Sequence, residues 1–197
     1  MSQLIETIQI LNGVPSNMKW HNIRFNKSRL NLFGVLKEID LSEHIVVPEK
    51  YKTSEVKCRI RYSKDIEIIE FEPYIFRPVT SLKLVNGDSI SYGYKFSDRS
   101  SLLQIHSERG EYDDIIIVKN GFIKDSSYTN LVFREGQNYV TPASPLLCGT
   151  KRAKLLSDST ILEKEIKKGD LKNFEEVHLI NAFLDLGRCV IPCNRIF

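Results

Sequence analysis

The alternation of apolar and charged residues predicts a sheet in the first half of the chain. Glu55–Tyr62 alternates apolar with charged residues, and residues 66–74 repeat the pattern; a period of two is typical of strands with one buried face. Residues 77–85 are predicted to continue the same sheet, with Pro78 at the beginning of the strand. Residues 3–9 alternate well enough to add a further strand.

A helical spacing of apolar residues follows the first predicted strand. Asn12-Gly13 predicts a turn, and Asn17 can cap a helix that runs through Trp20 and Leu30. Residues 39–45 predict the end of a second helical region. One or two helices against an antiparallel sheet make a small domain.

The second half of the chain begins at a turn signal, Asn86-Gly87-Asp88, which sets a predicted boundary between domains of residues 1–86 and 87–197. Short strands and helices follow one another after it. The predicted elements are a helix over residues 102–106 ended by Gly110, a strand over 113–119, a hairpin turn at Asn120-Gly121, strands over 131–133 and 139–141, a helix over 152–156 and a strand over 177–180. The whole pattern predicts a mixed α/β protein.

Composition narrows the class of protein. Of the 197 residues, 42% are hydrophobic and 27% charged, and the net charge of +3 is small, with the basic residues scattered rather than gathered in blocks. Scattered charges argue against a dedicated nucleic-acid surface. Without a long apolar run or a signal-peptide pattern, we expect a cytoplasmic protein that contacts no membrane. The cysteines and histidines are dispersed, and no metal site is predicted.

Three parts of the chain carry chemistry that one cofactor could use. Lys95 ends a short β-rich run between Tyr94 and Phe96, whose rings could hold the amine partly desolvated and nucleophilic. Asp125 lies on a predicted turn, and Gly149-Thr150 begins a predicted helix whose dipole favours an anion. Pyridoxal phosphate needs an amine, a carboxylate and an anion site. A surface lysine and a helix start without a ligand explain the same residues, and residue types alone leave both interpretations open.

Five ordered blocks of sequence resemble the class IV aminotransferases, the fold type IV pyridoxal-phosphate enzymes. They are ETIQILNGVPSNMKWHNIRFNKS, YKFSDR, DDIIIVKNGFIKDSSYTNLVF, TPASPLLCGTKR and LINAF, and they extend from Glu6 to Phe183. The resemblance implies an α+β (mixed α/β) fold with a small N-terminal α/β domain, a larger C-terminal domain and the cofactor between them. It also implies a homodimer that acts on a small, amino-acid-like substrate.

The resemblance implies roles for individual residues. Lys95 resembles the lysine that forms a Schiff base with pyridoxal phosphate, and Asp125 falls where the family places the carboxylate that contacts the ring nitrogen. Arg24, which is otherwise interpreted as a solvated helix charge, resembles the phosphate-binding arginine of a His-x-x-Arg helix. The remaining implied cofactor-binding positions are Gly149, Thr150, Lys151 and Asn181.

The resemblance determines the reaction less well than it determines the fold and the cofactor. Many transaminases of the family have Glu where this chain has Asp125, and the chain is shorter than a typical member. The short chain and the DSSYTN block resemble 4-amino-4-deoxychorismate-lyase-like members, which release pyruvate and 4-aminobenzoate, a folate precursor. An aminotransferase of branched-chain or D-amino acids is the alternative, and Arg59 could then bind a substrate carboxylate or be an outward charge on an amphipathic strand. A protein that kept the fold without turnover is a third hypothesis, and the presence of Lys95 argues against it.

Overall fold

The computed structural model describes residues 3–197, which form two compact units. The first unit contains the described residues up to Phe76 together with Tyr94–Asp98, and the second contains Arg77–Gly93 and Arg99–Phe197. The predicted boundary between residues 86 and 87 lies inside the second unit.

An antiparallel sheet of four strands, in the order β2-β1-β3-β4, forms the first unit. The elements are β1 (Leu4–Leu11), β2 (Val14–Pro15), α1 (Met18–Phe33), β3 (Glu55–Tyr62) and β4 (Ile66–Pro73). Alternate residues of β3 are fully or almost fully buried, from Val56 to Tyr62, which confirms the predicted strand. Phe25 of α1 packs on Tyr62 with ring centroids 4.4 Å apart. Burying one such side chain contributes roughly 1.5–3 kcal/mol, so this face of the sheet stabilises the unit.

A short extended segment beside β1 carries Lys95. The N–H of Ile5 donates to the Lys95 carbonyl at 2.9 Å, and Leu4 and Phe96 form an isolated bridge. The residues on either side of the bridge are irregular. Lys95 therefore lies in a bridge segment and not at the end of a strand, which corrects the prediction.

Two further predictions in the first half are wrong. Residues 39–45 contain only the short 3-10 helix Leu41–Glu43, whose first turn is capped by the Asp40 side chain. Residues 74–81 are irregular, and β5 (Leu82–Asn86) pairs in parallel with a strand of the second unit. The first sheet ends at Pro73, the last residue of β4, so residues 77–85 do not continue it.

Two sheets form the second unit, in the orders β5-β6-β7 and β10-β9-β8-β11-β12. The elements after β5 are α2 (Ser100–Ser107), β6 (Asp114–Lys119), β7 (Phe122–Ser126), β8 (Asn130–Glu135), β9 (Asn138–Pro142), α3 (Thr150–Ser157), β10 (Leu162–Lys164), β11 (Glu176–Ile180) and β12 (Val190–Pro192). Ile115, Ile116 and Ile117 are all 0% exposed, so β6 is buried on both faces as predicted. Asn120 and Gly121 have φ angles of 52° and 80°, and they form the predicted hairpin turn.

The α-helices are short. Helix α1 has 16 residues, and α2 and α3 have 8 each. Among residues 3–197, none of them has the length and apolar character needed to cross a bilayer.

Candidate functional site

Lys95 is half-buried beside the start of β1. The rings of its neighbours, Tyr94 and Phe96, lie 6.1 Å apart between centroids and pack against the core of the first unit. Burial lowers the pKa of His21 on α1, and the positive charges of Arg24 and Lys95 lower it further. The structure therefore brings Lys95 and Arg24, two of the predicted site residues, close to the same buried histidine.

Arg24 binds a carboxylate to which the sequence assigned no role. Its Nε and Nη2 donate to Oε1 and Oε2 of Glu6 at 2.8 and 2.6 Å. His21 Nδ1 lies 2.6 Å from the same Oε2, and neither Glu6 nor His21 has any exposed side-chain surface. Arg24 is therefore part of a buried polar cluster, formed by Glu6, His21 and Arg24, and not a solvated helix charge.

The electrostatics of this cluster keep Glu6 ionised. Burial opposes its ionisation, but the charge of Arg24 and hydrogen bonds from His21 and Arg24 outweigh burial and lower the pKa of Glu6 to about 2. A signal for this residue exists in the sequence, since Glu6 interrupts the apolar face that Leu4 and Ile8 form on β1. A charge on the buried face of a strand requires a partner.

Asp125 lies on β7 and not on a turn. Ser126 still pairs with Ile116 of β6, so the strand continues past Asp125, and the turn is closed afterwards by the Ser126 N–H donating to the Thr129 carbonyl at 2.9 Å. The Asp125 side chain is 6% exposed. Burial raises its pKa to about 6, although several hydrogen bonds favour the ionised form.

Asn130 joins Asp125 to the segment before α3. Its Nδ2 donates to Asp125 Oδ1 and to the Leu147 carbonyl, both at 2.8 Å. The Leu147 N–H donates to Asp125 Oδ2 at 2.9 Å. Both carboxylate oxygens are thus fixed relative to the segment that leads into α3 through Gly149.

Gly149 is the N-cap of α3, with no side-chain cap. A Cβ at this position would lie 1.9 Å from Asn130 Oδ1, so the close approach of Asn130 requires glycine. Thr150 and Lys151 form the first turn of the helix, where backbone N–H groups point along the axis and favour an anion. The Lys151 side chain pairs with Asp185, which leaves its backbone as the part suited to a phosphate.

Asn181 is the first residue after β11. Its Oδ1 accepts hydrogen bonds from the N–H groups of Phe183 and Leu184 at 2.8 and 3.1 Å. The carboxamide oxygen therefore closes a local turn, and a contact between Asn181 and a phosphate stays a prediction.

Arg59 lies on the outward face of β3. Its Nη2 is 3.2 Å from Glu72 Oε1, and the two side chains are 35% and 49% exposed. This arrangement agrees with the interpretation of Arg59 as an outward charge on an amphipathic strand. The pair is weak enough to open at little cost, so a role in binding a substrate carboxylate stays a prediction.

Replacing Gly149 with alanine is expected to destabilise the protein by roughly 1–3 kcal/mol, because overpacking displaces the neighbouring side chain and the added Cβ would meet Asn130 Oδ1 at 1.9 Å. Chemical denaturation of the cofactor-free protein measures the effect. The control is Gly169→Ala, where an added Cβ has no atom within 4 Å. In an Asn130→Ala background, Gly149→Ala should cost much less, and equal costs in both backgrounds would contradict the contact.

Residues of each unit have part of the chemistry that pyridoxal phosphate requires. The first unit offers the amine of Lys95 and the guanidinium of Arg24. The second offers the buried carboxylate of Asp125 and a helix start at Gly149 where no side chain fits. A protonated ring nitrogen beside Asp125 would offset the burial that raises its pKa. Within residues 3–197, no group of three or more His, Cys, Asp or Glu is arranged to hold a metal ion.

Known proteins resemble the chain over most of its length. Residues 81–196 match the sequence profile of amino-transferase class IV. An uncharacterized protein from Haemophilus influenzae is 36% identical over 184 residues, which cover 92% of this chain and 98% of that protein.

Solved structures share the fold. A protein from Haemophilus somnus with the provisional name 4-amino-4-deoxychorismate lyase is 36% identical, and the match covers 94% of this chain and 98% of that one with a TM-score of 0.86. A hypothetical aminotransferase from Mycobacterium tuberculosis, solved with α-ketoglutarate and PMP bound, matches 100% of this chain and 83% of that one with a TM-score of 0.79 and 16% identity. These matches confirm the predicted mixed fold.

Proposed function

The chain belongs to the class IV aminotransferase family, and we propose that within this family it is a 4-amino-4-deoxychorismate lyase that releases pyruvate and 4-aminobenzoate. The observation that carries the proposal is the likeness to the Haemophilus somnus protein with that provisional name, at 36% identity over nearly the whole of both chains. The block DSSYTN supports it, since it resembles short members of that type.

The class of chemistry follows from the family. Its members are pyridoxal-phosphate-dependent enzymes that act on small, amino-acid-like substrates. This chain is therefore a lyase or transaminase with pyridoxal phosphate as its cofactor and has the fold of type IV pyridoxal-phosphate enzymes. Bound pyridoxal phosphate supplies an electron sink for the charge left when the substrate α-carbon loses its proton.

In the proposal, the candidate site residues hold the cofactor and move a proton. The Lys95 amine holds the cofactor and then takes the proton from the substrate α-carbon. The ionised carboxylate of Asp125 keeps the ring nitrogen of the cofactor protonated. Arg24 binds the phosphate with its guanidinium, and the backbone N–H groups of Thr150 and Lys151 bind it from the start of α3. We assign further phosphate contacts to Gly149 and Asn181.

Transamination of branched-chain or D-amino acids is the second candidate. Arg59 supports it, because the Arg59–Glu72 ion pair is partly exposed and a substrate carboxylate could replace Glu72. A protein without turnover is the third, and the presence of Lys95, half-buried, argues against it.

Product analysis of the cofactor-loaded protein separates the candidates. With 4-amino-4-deoxychorismate as substrate, we expect pyruvate and 4-aminobenzoate in equal amounts and no need for a keto acid. A parallel assay offers branched-chain and D-amino acids with a keto acid as acceptor. Amino transfer without 4-aminobenzoate would refute the lyase and support the second candidate, and an absence of both reactions would favour the third.

A homodimer in the cytoplasm is part of the proposal. The dimer is supported by the resemblance to the family. Light scattering should give twice the mass of the single chain, and a mass equal to one chain would contradict the dimer.

A further inference from the structure

A carboxylate occupies a position on β1 that suits an apolar side chain. Glu6 lies between Leu4 and Ile8 on the buried face of the strand, and none of the three is exposed. A buried carboxylate loses most of its hydration, whereas valine or isoleucine would fill the position without that loss. A role that needs the charge would explain why a carboxylate is present.

Glu6 holds one edge of the Arg24 guanidinium. Its two oxygens accept from Arg24 Nε at 2.8 Å and from Nη2 at 2.6 Å, and two parallel hydrogen bonds fix both the position and the plane of a guanidinium. Arginine has five N–H donors, and Glu6 accepts from two of them, both on one edge of the guanidinium. The Arg24 side chain keeps 15% of its surface exposed, which leaves a path for an anion to reach the guanidinium.

His21 fixes Glu6 in turn. The ring is fully buried, its Nδ1 lies 2.6 Å from Glu6 Oε2, and it precedes Arg24 by one helical turn of α1. Since burial lowers the pKa of His21, the ring is neutral at neutral pH and donates its Nδ1–H to the carboxylate. The contacts therefore run from His21 to Glu6 to Arg24. Metal sites have a comparable arrangement, in which a carboxylate that does not touch the metal orients the histidine that does.

We infer that Glu6 is a positioning residue for anion binding: supported by His21, its carboxylate orients Arg24 so that the guanidinium can bind the phosphate of the cofactor. The inference rests on the proposed function, since the phosphate is that of pyridoxal phosphate. A purely structural ion pair differs from it in one measurable respect. Loss of a positioning charge weakens ligands that carry a phosphate and spares ligands that lack it.

The test compares pyridoxal phosphate with pyridoxal, which has the same ring and aldehyde but no phosphate. Both are titrated into the purified full chain, and binding is followed by visible absorbance. In Glu6→Gln we expect the affinity for pyridoxal phosphate to fall roughly 10- to 100-fold and the affinity for pyridoxal to change less than about 2-fold. Glu6→Asp keeps the charge on a shorter side chain, and it should recover part of the loss.

Val56→Ala is the matched control. Val56 is a fully buried residue of β3 that pairs with Ile10, at the other end of β1 from Glu6. It should lower stability through a cavity and leave the ratio of the two affinities unchanged.

Four results would overturn the inference. An equal loss for both ligands in Glu6→Gln, or no loss for either, would do so and leave the proposed function intact. A wild-type protein that bound neither compound would refute the proposed function and the inference with it. Should Glu6→Gln fail to fold, His21→Asn is measured in its place, and an unchanged affinity ratio in that variant overturns the inference.

Discussion

Replacing Lys95 with alanine is expected to abolish turnover, with kcat at least about 10³-fold lower, because one amine serves as both nucleophile and proton-transfer group. The variant should also lose the visible absorbance band that pyridoxal phosphate acquires when bonded to a lysine. Folding should survive, since the bridge beside β1 uses the Lys95 carbonyl and not its side chain. Absorbance, activity and denaturation are measured on the same purified protein with the cofactor added.

Two variants control this experiment. Lys95→Arg keeps a positive charge but has no nucleophilic amine, so it should be as inactive as alanine. Lys83→Ala removes a lysine whose Nζ donates to the Glu108 carbonyl on the exposed surface, and it should behave as wild type. A band of full intensity in Lys95→Ala would show that another amine holds the cofactor.

The elements that could be predicted from the sequence are those whose burial is visible in the local pattern of apolar and polar residues. In β3, apolar and charged residues alternate because one face of the strand is covered. In β6, the residues are continuously apolar because both faces are covered. Asn120-Gly121 forms the predicted hairpin because both residues tolerate a positive φ.

The errors arise where distant pairing decides the structure. Residues 77–85 contain apolar residues in a strand-like pattern, but only pairing with β6 determines where β5 begins. Asp125 stands in a turn-rich block, yet the pairing of Ser126 with Ile116 keeps it in a strand. A local pattern carries no information about a partner strand that lies elsewhere in the chain.

The residues of the candidate site also divide into those that the sequence indicates and those that distant packing supplies. Lys95, Arg24 and Asp125 were assigned by resemblance, whereas the groups that hold them come from tertiary packing. Glu6 meets Arg24 because α1 packs on β1, and Asn130 meets Asp125 because β8 follows β7. The partner of a buried charge is a property of the fold, and the sequence shows Glu6 only as part of the first block.

Replacing Asp125 with asparagine is expected to lower kcat by about 10²- to 10³-fold, the loss typical of removing one preorganised electrostatic contact to a reacting group. Asparagine has nearly the same shape but no negative charge, so it cannot keep the ring nitrogen of the cofactor protonated. Steady-state kinetics with saturating cofactor measure the effect. Activity equal to that of wild type would show that Asp125 has no part in the reaction.

The same substitution should change how stability depends on pH. Burial raises the pKa of Asp125 from 3.8 to about 6, a difference of about 2 units, which corresponds to about 3 kcal/mol. A group whose pKa is higher in the folded state stabilises the protein fully below its unfolded pKa, and this contribution is lost as the pH rises through 6. Glu6 acts in the opposite direction, but its pKa is lowered from 4.5 to about 2, so its contribution is lost only as the pH falls below about 4.5.

Between about pH 4 and about pH 7, cofactor-free wild type should therefore lose stability relative to Asp125→Asn. Any fixed cost of the asparagine, such as an N–H group facing the Leu147 N–H, shifts the curve without changing its slope. Urea denaturation at several pH values measures both proteins. Bound pyridoxal phosphate should flatten the wild-type curve, because a protonated ring nitrogen favours the ionised carboxylate. Parallel curves for the two cofactor-free proteins would mean that Asp125 ionises as easily in the folded chain as in the unfolded one.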